Sequence, residues 1–301
     1  MENVKPFVKW AGGKGGLIFQ LKNFYPFELE NGKIDKYVEP FVGGGAVLIN
    51  ILQQYDVKEA YAFDINRDLI NCYNTIKESV EDLIKELEIK EKDFLKLESE
   101  DRQKFFYDIR KEYNSYKLEE NHNIKRASEF IFLNRTCFNG LYRVNKNGEF
   151  NVPCGKYKNP TICDAKNLRN LSKLIQNVRF EYGDYRKSSE YIDEKTFVYF
   201  DPPYRPLSIT SGFTSYTKED FNDENQKDLA KYFKELDSKN AKLMLSNSNP
   251  KNTNKEDNFF EDIYKGFNIN EISAKRMINA NAKGRGEISE LLITNYEEMN
   301  E

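Results

Sequence analysis

The residues best equipped for chemistry are Asp201-Pro202-Pro203-Tyr204. They follow a short apolar run, Phe197 to Phe200, which reads as a buried strand ending at Asp201. Open α/β sheets place their chemistry at such carboxyl ends. Two prolines cannot extend a sheet ladder, so the chain must leave it in a stiff turn. The corner then presents a carboxylate, proline carbonyls and an aromatic face. A carboxylate and a backbone carbonyl can accept both N–H bonds of an amino group whose lone pair is delocalised into a ring. That draws the nitrogen towards tetrahedral geometry and aims its lone pair at an electrophile, without a strong base. The aromatic face offers a stacking platform for such a ring. As structure alone, the same four residues are a strand ending in a proline-rich turn.

The elements that would position this corner fit a folded chain of 301 residues with 39% hydrophobic and 14% aromatic residues. Charged residues make up 32% and the mean hydropathy is −0.77, so a cytoplasmic location is expected. No apolar run approaches the roughly 18–20 residues needed to span a bilayer, and the N-terminal residues lack the apolar core of a signal peptide. Cys72, Cys137, Cys154 and Cys163 show no CxxC or Cys/His spacing and read as free thiols, so no metal site is expected. The single histidine, His122, lies in a polar stretch and reads as solvated, which leaves histidine-dependent mechanisms little to work with. Net charge is only −3, but it is unevenly spread: 11 Lys/Arg face 4 Asp/Glu between Arg135 and Lys187. A duplex feels such a local face rather than the sum.

Along the chain, Phe7 to Gly16 is a glycine-rich stretch holding Trp10 and Lys14, ahead of a helical pattern at Leu17, Leu21, Phe24 and Tyr25. It fails the GxxxxGK[ST] phosphate-loop pattern, because Gly15 stands where Ser or Thr belongs. Tyr37 to Ala46 runs from strand through Gly43-Gly44-Gly45 into a helix, the first βα turn of a doubly wound fold. Ala60 to Asp64 reads as the second strand. Asp64 lies about 20 residues past the glycines, the distance of an acid that binds ribose hydroxyls; a helix N-cap is its structural alternative. One long helix is expected from about Arg67 to Leu87. Then the βαβ alternation stops until about Arg179. The intervening stretch holds polar helical pieces, a helix from Arg126 to Phe138 and a hairpin around Asn147-Gly148. The rhythm resumes with a strand ending in Gly183-Asp184, the Asp201 strand, and a helix from about Asn222 to Leu236 capped by Asp223 or Glu224. Arg205 to Phe221 looks like a loop over the corner. Three further strands follow: Ala241–Ser246, Phe267–Ser273 and Ile288–Asn295, the last two separated by the basic stretch Lys275 to Gly286.

Asp-Pro-Pro-Tyr is the signature of methyltransferases acting on exocyclic amino groups, and the chain as a whole resembles the Dam-type DNA adenine N6-methyltransferases. The matching stretches, in family order, are KWAGGK (9–14), EPFVGGGAV (39–47), FDIN (63–66), FNGLYR (138–143), GEFNVPCGKYKNP (148–160), VYFDPPY (198–204), FTSYT (213–217) and LSNS (245–248). The polar loop Asn249–Asn258 is richer in asparagine and lysine than the pattern implies. The resemblance implies a Rossmann-like methyltransferase sheet formed by residues 1–75 and 177–301, with an inserted helical and hairpin DNA-recognition domain over 76–176. It implies S-adenosylmethionine as cofactor, bound by Trp10, Lys14, Asp64 and Asp201, with Phe41, Gly43 and Asp184 lining its pocket. It implies catalysis on a flipped adenine by Asp201, Pro202 and Tyr204. Double-stranded DNA, mostly at GATC, would be contacted by Lys9, Phe138, Asn139 and Arg143. No metal, membrane or obligate protein partner is implied. Cytosine N4 methylation shares the same site logic. A non-catalytic DNA-binding module is the reading from another class, and the intact corner beside an intact ribose acid argues against it.

Overall fold

The computed structural model describes residues 3–116, 123–207, 221–275 and 287–297. His122, most of the loop expected between Arg205 and Phe221, and the basic stretch 276–286 lie outside the described residues.

Seven strands form one sheet: β1 (Lys36–Glu39), β2 (Glu59–Asp64), β3 (Val178–Tyr182), β4 (Thr196–Phe200), β5 (Lys242–Ser248), β6 (Asn268–Lys275) and β7 (Glu287–Thr294). Their order is β3-β2-β1-β4-β5-β7-β6. Neighbours among β1 to β5 run parallel, and β7 runs antiparallel to both β5 and β6. The order reverses between β1 and β4, which is the switch point where doubly wound sheets open a crevice. β4 is buried at every position because both faces are covered. Its side chains alternate between two hydrophobic clusters: Phe197 and Tyr199 on one face, Val198 and Phe200 on the other.

The helices are α1 (Ile18–Leu21), α2 (Phe27–Glu30), α3 (Ala46–Gln54), α4 (Arg67–Glu78), α5 (Val80–Leu95), α6 (Ser99–Ser115), α7 (Ile124–Thr136), α8 (Ala165–Leu174), α9 (Asp223–Asp237) and α10 (Phe259–Ile263). The single helix expected over Arg67–Leu87 is two. Ser79 leaves helical geometry at φ −143°, ψ 43°, and the apolar positions on either side of it belong to α4 and α5. The helical pattern from Leu17 to Tyr25 is likewise divided into α1 and flanking 3-10 turns. The cap of α9 is Asn222, whose side chain accepts from the Glu224 and Asn225 amides; the Asn225 side chain answers with the Asn222 amide, a reciprocal cap. Asp223 and Glu224 fall inside the first turn instead.

Between β2 and β3 the described residues form α4 to α8, and this segment shares the hydrophobic cluster on one face of the sheet. Phe94, Phe106, Phe130, Phe132 and Phe150 join Tyr37, Leu48, Tyr73 and Phe180 in that cluster. Arg126 of α7 also grips α4: its Nε and Nη2 donate to the two Asp68 carboxylate oxygens at 2.8 and 3.0 Å. Its guanidinium lies 3.5 Å from the Tyr113 ring centroid and donates to the Tyr113 and Tyr116 carbonyls at the end of α6. The expected hairpin is reduced to one bridge, Val144 to Phe150, turning at Gly148 with φ 80°.

Candidate active site

A cavity of about 1020 Å³ opens at the switch point, walled by the segments that leave the carboxyl ends of β1, β2, β3 and β4. The loop after β1 passes close to the aromatic wall. Gly43 has φ 46°, and a Cβ there would sit 2.8 Å from the Trp10 ring, so no side chain fits. Gly45, at φ 71°, has the Tyr73 hydroxyl where a Cβ would go. Trp10 itself stacks on Tyr142 with ring centroids 5.4 Å apart, which joins the N-terminal stretch to the segment between β2 and β3.

Asp64 ends β2 and faces this loop. Its Oδ2 accepts from the Gly43 amide at 3.0 Å and its Oδ1 from the Asn66 amide at 2.8 Å. Asn66, rather than Asp64, caps α4, accepting from the Leu69 amide. Burial pushes the Asp64 carboxyl up to about 6, against the pull of the Asn66, Gly43 and Ile65 amides. Asp184 follows β3 on the cavity wall and accepts from the Arg186 amide at 3.0 Å.

Asp201 lines the same cavity, at the start of the corner. Its Oδ1 is 2.7 Å from the Lys14 ammonium. Lys14 is buried and also donates to the Gly12 carbonyl at 2.7 Å. A buried ammonium needs such partners. Burial raises the Asp201 carboxyl and the Lys14 charge opposes the rise, so the lysine favours the ionised acid. The same ammonium stands 4.6 Å from the Tyr204 ring centroid. At its other end, Tyr204 donates its hydroxyl to Glu290 Oε2 of β7 at 2.6 Å. The Pro203 carbonyl accepts from Gln226 at 3.0 Å, while the Pro202 carbonyl accepts nothing from the described residues.

Trp10, Lys14, Phe41, Gly43, Asp64, Asp184, Asp201, Pro202 and Tyr204 thus line one cavity. Lys9, Phe138, Asn139 and Arg143 do not line it; they are exposed residues beside it. Lys9 packs against Gly140, whose added Cβ would lie 2.4 Å from the Lys9 chain, and its amide donates to Asn134 at 2.9 Å. Asn139 adopts φ 57°, a left-handed conformation that asparagine tolerates. Phe138 is 53% exposed beside it, and Arg143 is braced by donating to Asn151 Oδ1 at 2.8 Å.

Three residues of the site have no separate reading in the sequence. Glu39 at the end of β1 is wholly buried on the cavity wall, accepts from the Tyr37 hydroxyl at 2.7 Å, and is raised well above the usual carboxylate range by burial. Its place immediately before Pro40 at a strand end was the available signal. Glu290 and Gln226 reach the corner only through sheet topology and helix packing.

Residues 10–278 match the D12 class N6 adenine-specific DNA methyltransferases, and the chain belongs to that family. It is therefore an adenine-specific DNA methyltransferase. Among curated relatives, it is 53% identical to the type II methyltransferase M.MjaIII of Methanocaldococcus jannaschii, over 97% of this chain and 99% of the relative. It is 38% identical to the type II methyltransferase M1.LlaDCHI of Lactococcus lactis subsp. cremoris, over 98% and 96%. It is 33% identical to the DNA adenine methylase of Escherichia coli K12, over 97% and 95%. The Dam-type resemblance is borne out, and the adenine class settles the target over cytosine N4.

Proposed function

We propose that the enzyme uses S-adenosylmethionine to methylate the N6 amino group of a flipped adenine in double-stranded DNA, within GATC. The observation that carries this is the meeting of Gly43, Asp64 and the Asp201 corner around one cavity. The residues suit the cofactor. Asp64 offers two carboxylate oxygens that each retain acceptor capacity beyond one backbone amide, and the glycine turn leaves room beside it. Asp64 would hold the ribose hydroxyls, with Asp184, Phe41, Gly43 and Trp10 lining the rest of that pocket. The bound cofactor supplies an electrophilic methyl group.

The target amine is handled by the chain's own residues. Asp201 Oδ2, the oxygen not given to Lys14, accepts one adenine N–H and the Pro202 carbonyl accepts the other. The nitrogen lone pair is thereby turned towards the cofactor side of the cavity. Lys14 favours the ionised Asp201 and occupies one face of Tyr204, leaving the opposite face to stack the base. Outside the cavity, residues 76–176 act as the recognition domain. Phe138 and Asn139 enter the space vacated by the flipped base, Arg143 reads guanine, and Lys9 touches the site from the N-terminal side. The GATC assignment rests on the Dam-type motif pattern. Radiolabelled methyl transfer to duplexes that differ at single positions of one tetranucleotide tests it. GATC should be labelled at least tenfold faster than each variant; equal labelling of another tetranucleotide would replace it.

A further inference from the structure

We infer that Gln226 of α9 and Asn247 of β5 form a positioning pair that fixes the Asp201 corner by taking the Pro203 carbonyl out of play. This rests on the proposed role of the corner. Both side chains are wholly buried, where an unpaired amide is costly. Gln226 Nε2 donates to the Pro203 carbonyl at 3.0 Å. Gln226 Oε1 accepts from Asn247 Nδ2 at 3.0 Å. Asn247 Oδ1 in turn accepts from the Arg205 amide at 3.1 Å and the Ser248 amide at 2.9 Å. The relay has one direction, with a carbonyl at one end and N–H donors at the other, so each amide has one usable orientation. It ties the backbone on both sides of Tyr204 to the sheet.

α9 is aimed at the corner twice. Its reciprocal cap at Asn222 fixes where the helix starts, and that start places Asp223 and Gln226 three residues apart on one face. Asp223 accepts from Arg205 at 2.8 and 3.1 Å while Gln226 holds Pro203. Arg205 also donates to Asp257 at 2.7 Å and lies 4.3 Å from the Phe259 ring centroid. The corner has two adjacent proline carbonyls, and only one has the right place to accept from the amine. Occupying the second leaves Pro202 as the acceptor and holds the two amine acceptors in a fixed relation. A displacement of about 1 Å at such a site costs on the order of a hundredfold in rate.

The test is single-turnover methyl transfer by Gln226→Met, which removes the donor to Pro203 while keeping chain length, alongside Asp201→Ala. Cofactor and duplex Kd values are measured on the same preparations. Gln226→Met should slow transfer by about 10–100-fold with both Kd values within about threefold of native. Transfer within about threefold of native would overturn the inference, as would a slowing matched by an equal loss of cofactor binding. If Gln226→Met does not fold, Gln226→Leu, which deletes the donor to Pro203 in a smaller apolar side chain, is read at the same endpoints. Active Asp201→Ala would sink the reading of the corner itself. Inactive Asp201→Ala with native-speed Gln226→Met would remove only the positioning pair.

Discussion

Asp64→Asn tests the cofactor reading by charge rather than by shape. The carboxyl is held at about 6 rather than the ordinary 3.8, so keeping it ionised at pH 7 costs about 3 kcal/mol as an upper bound. The sign follows from the direction of the shift. Its folded value is raised, so the neutral acid is favoured in the fold, and this stabilisation is complete below about pH 4 and lost as pH rises through 6. Ribose hydroxyls donate, so cofactor selects the ionised form, and affinity runs the other way. With an acid at about 6, apparent cofactor affinity should be about tenfold weaker at pH 5 than at pH 7. The amide introduced by Asp64→Asn cannot ionise, and one of its two ends must meet the Gly43 or Asn66 amide with an N–H. That mismatch costs about 1–3 kcal/mol, which offsets the relief of the buried charge, so the melting temperature should move by only a few degrees. Cofactor affinity at pH 7 should fall about 10–100-fold, since hydrogen bonds to a charged acceptor contribute about 1.5–3 kcal/mol. Calorimetric titration from pH 5 to pH 8 on both proteins measures the affinities, and a thermal melt measures the stability. A flat native profile, together with unchanged affinity in Asp64→Asn, would refute the assignment of Asp64 to the cofactor.

Asp201→Ala should reduce transfer by at least a thousandfold, read by radiolabel incorporation, because the amine loses an acceptor and Lys14 loses its buried counter-charge. Tyr204→Ala should lose more than a hundredfold, whereas Tyr204→Phe should stay within about tenfold. The phenylalanine keeps the stacking face but strands the Glu290 carboxylate, so a Glu290→Gln partner should restore part of the difference. Arg143→Ala should lower GATC labelling while narrowing its lead over single-base variants, since a bidentate arginine–guanine pair contributes about 1–3 kcal/mol of discrimination. Uniform loss across the variant panel would make Arg143 a phosphate contact.

Much of this architecture was legible because its signals are local. The β1 strand, the glycine turn, Asp64 and the Asp201 strand each lie within a few residues of the feature that identifies them. The return of βαβ rhythm near Arg179 coincides with β3. Ser79 was not legible, because a break of one residue leaves the apolar spacing of Leu69, Tyr73, Ile76, Val80, Leu83 and Leu87 nearly continuous. Gln226 is one polar residue among several on a charged helix, and burial of a polar side chain leaves no hydrophobic pattern to read. Glu290 stands 86 residues from Tyr204, and antiparallel pairing of β7 with β5 brings them together. Periodicity cannot express a contact that depends on strand order.

The hydrophobic cluster that the segment between β2 and β3 shares with the sheet sets terms for anyone recombining these enzymes. Exchanging residues 76–176 between relatives would cut through α4 and through a common interior, with no linker to receive the joint. The Arg126–Asp68 pair, whose carboxylate lies on the wall of the cavity, would be split across the graft. A working chimera would need to carry α4, with its Asp68, and Tyr142's partner Trp10 along with the exchanged segment. On the proposed recognition roles of exposed Phe138, Asn139 and Arg143, new site preferences should be gained more readily by substituting those three than by transplanting the whole segment.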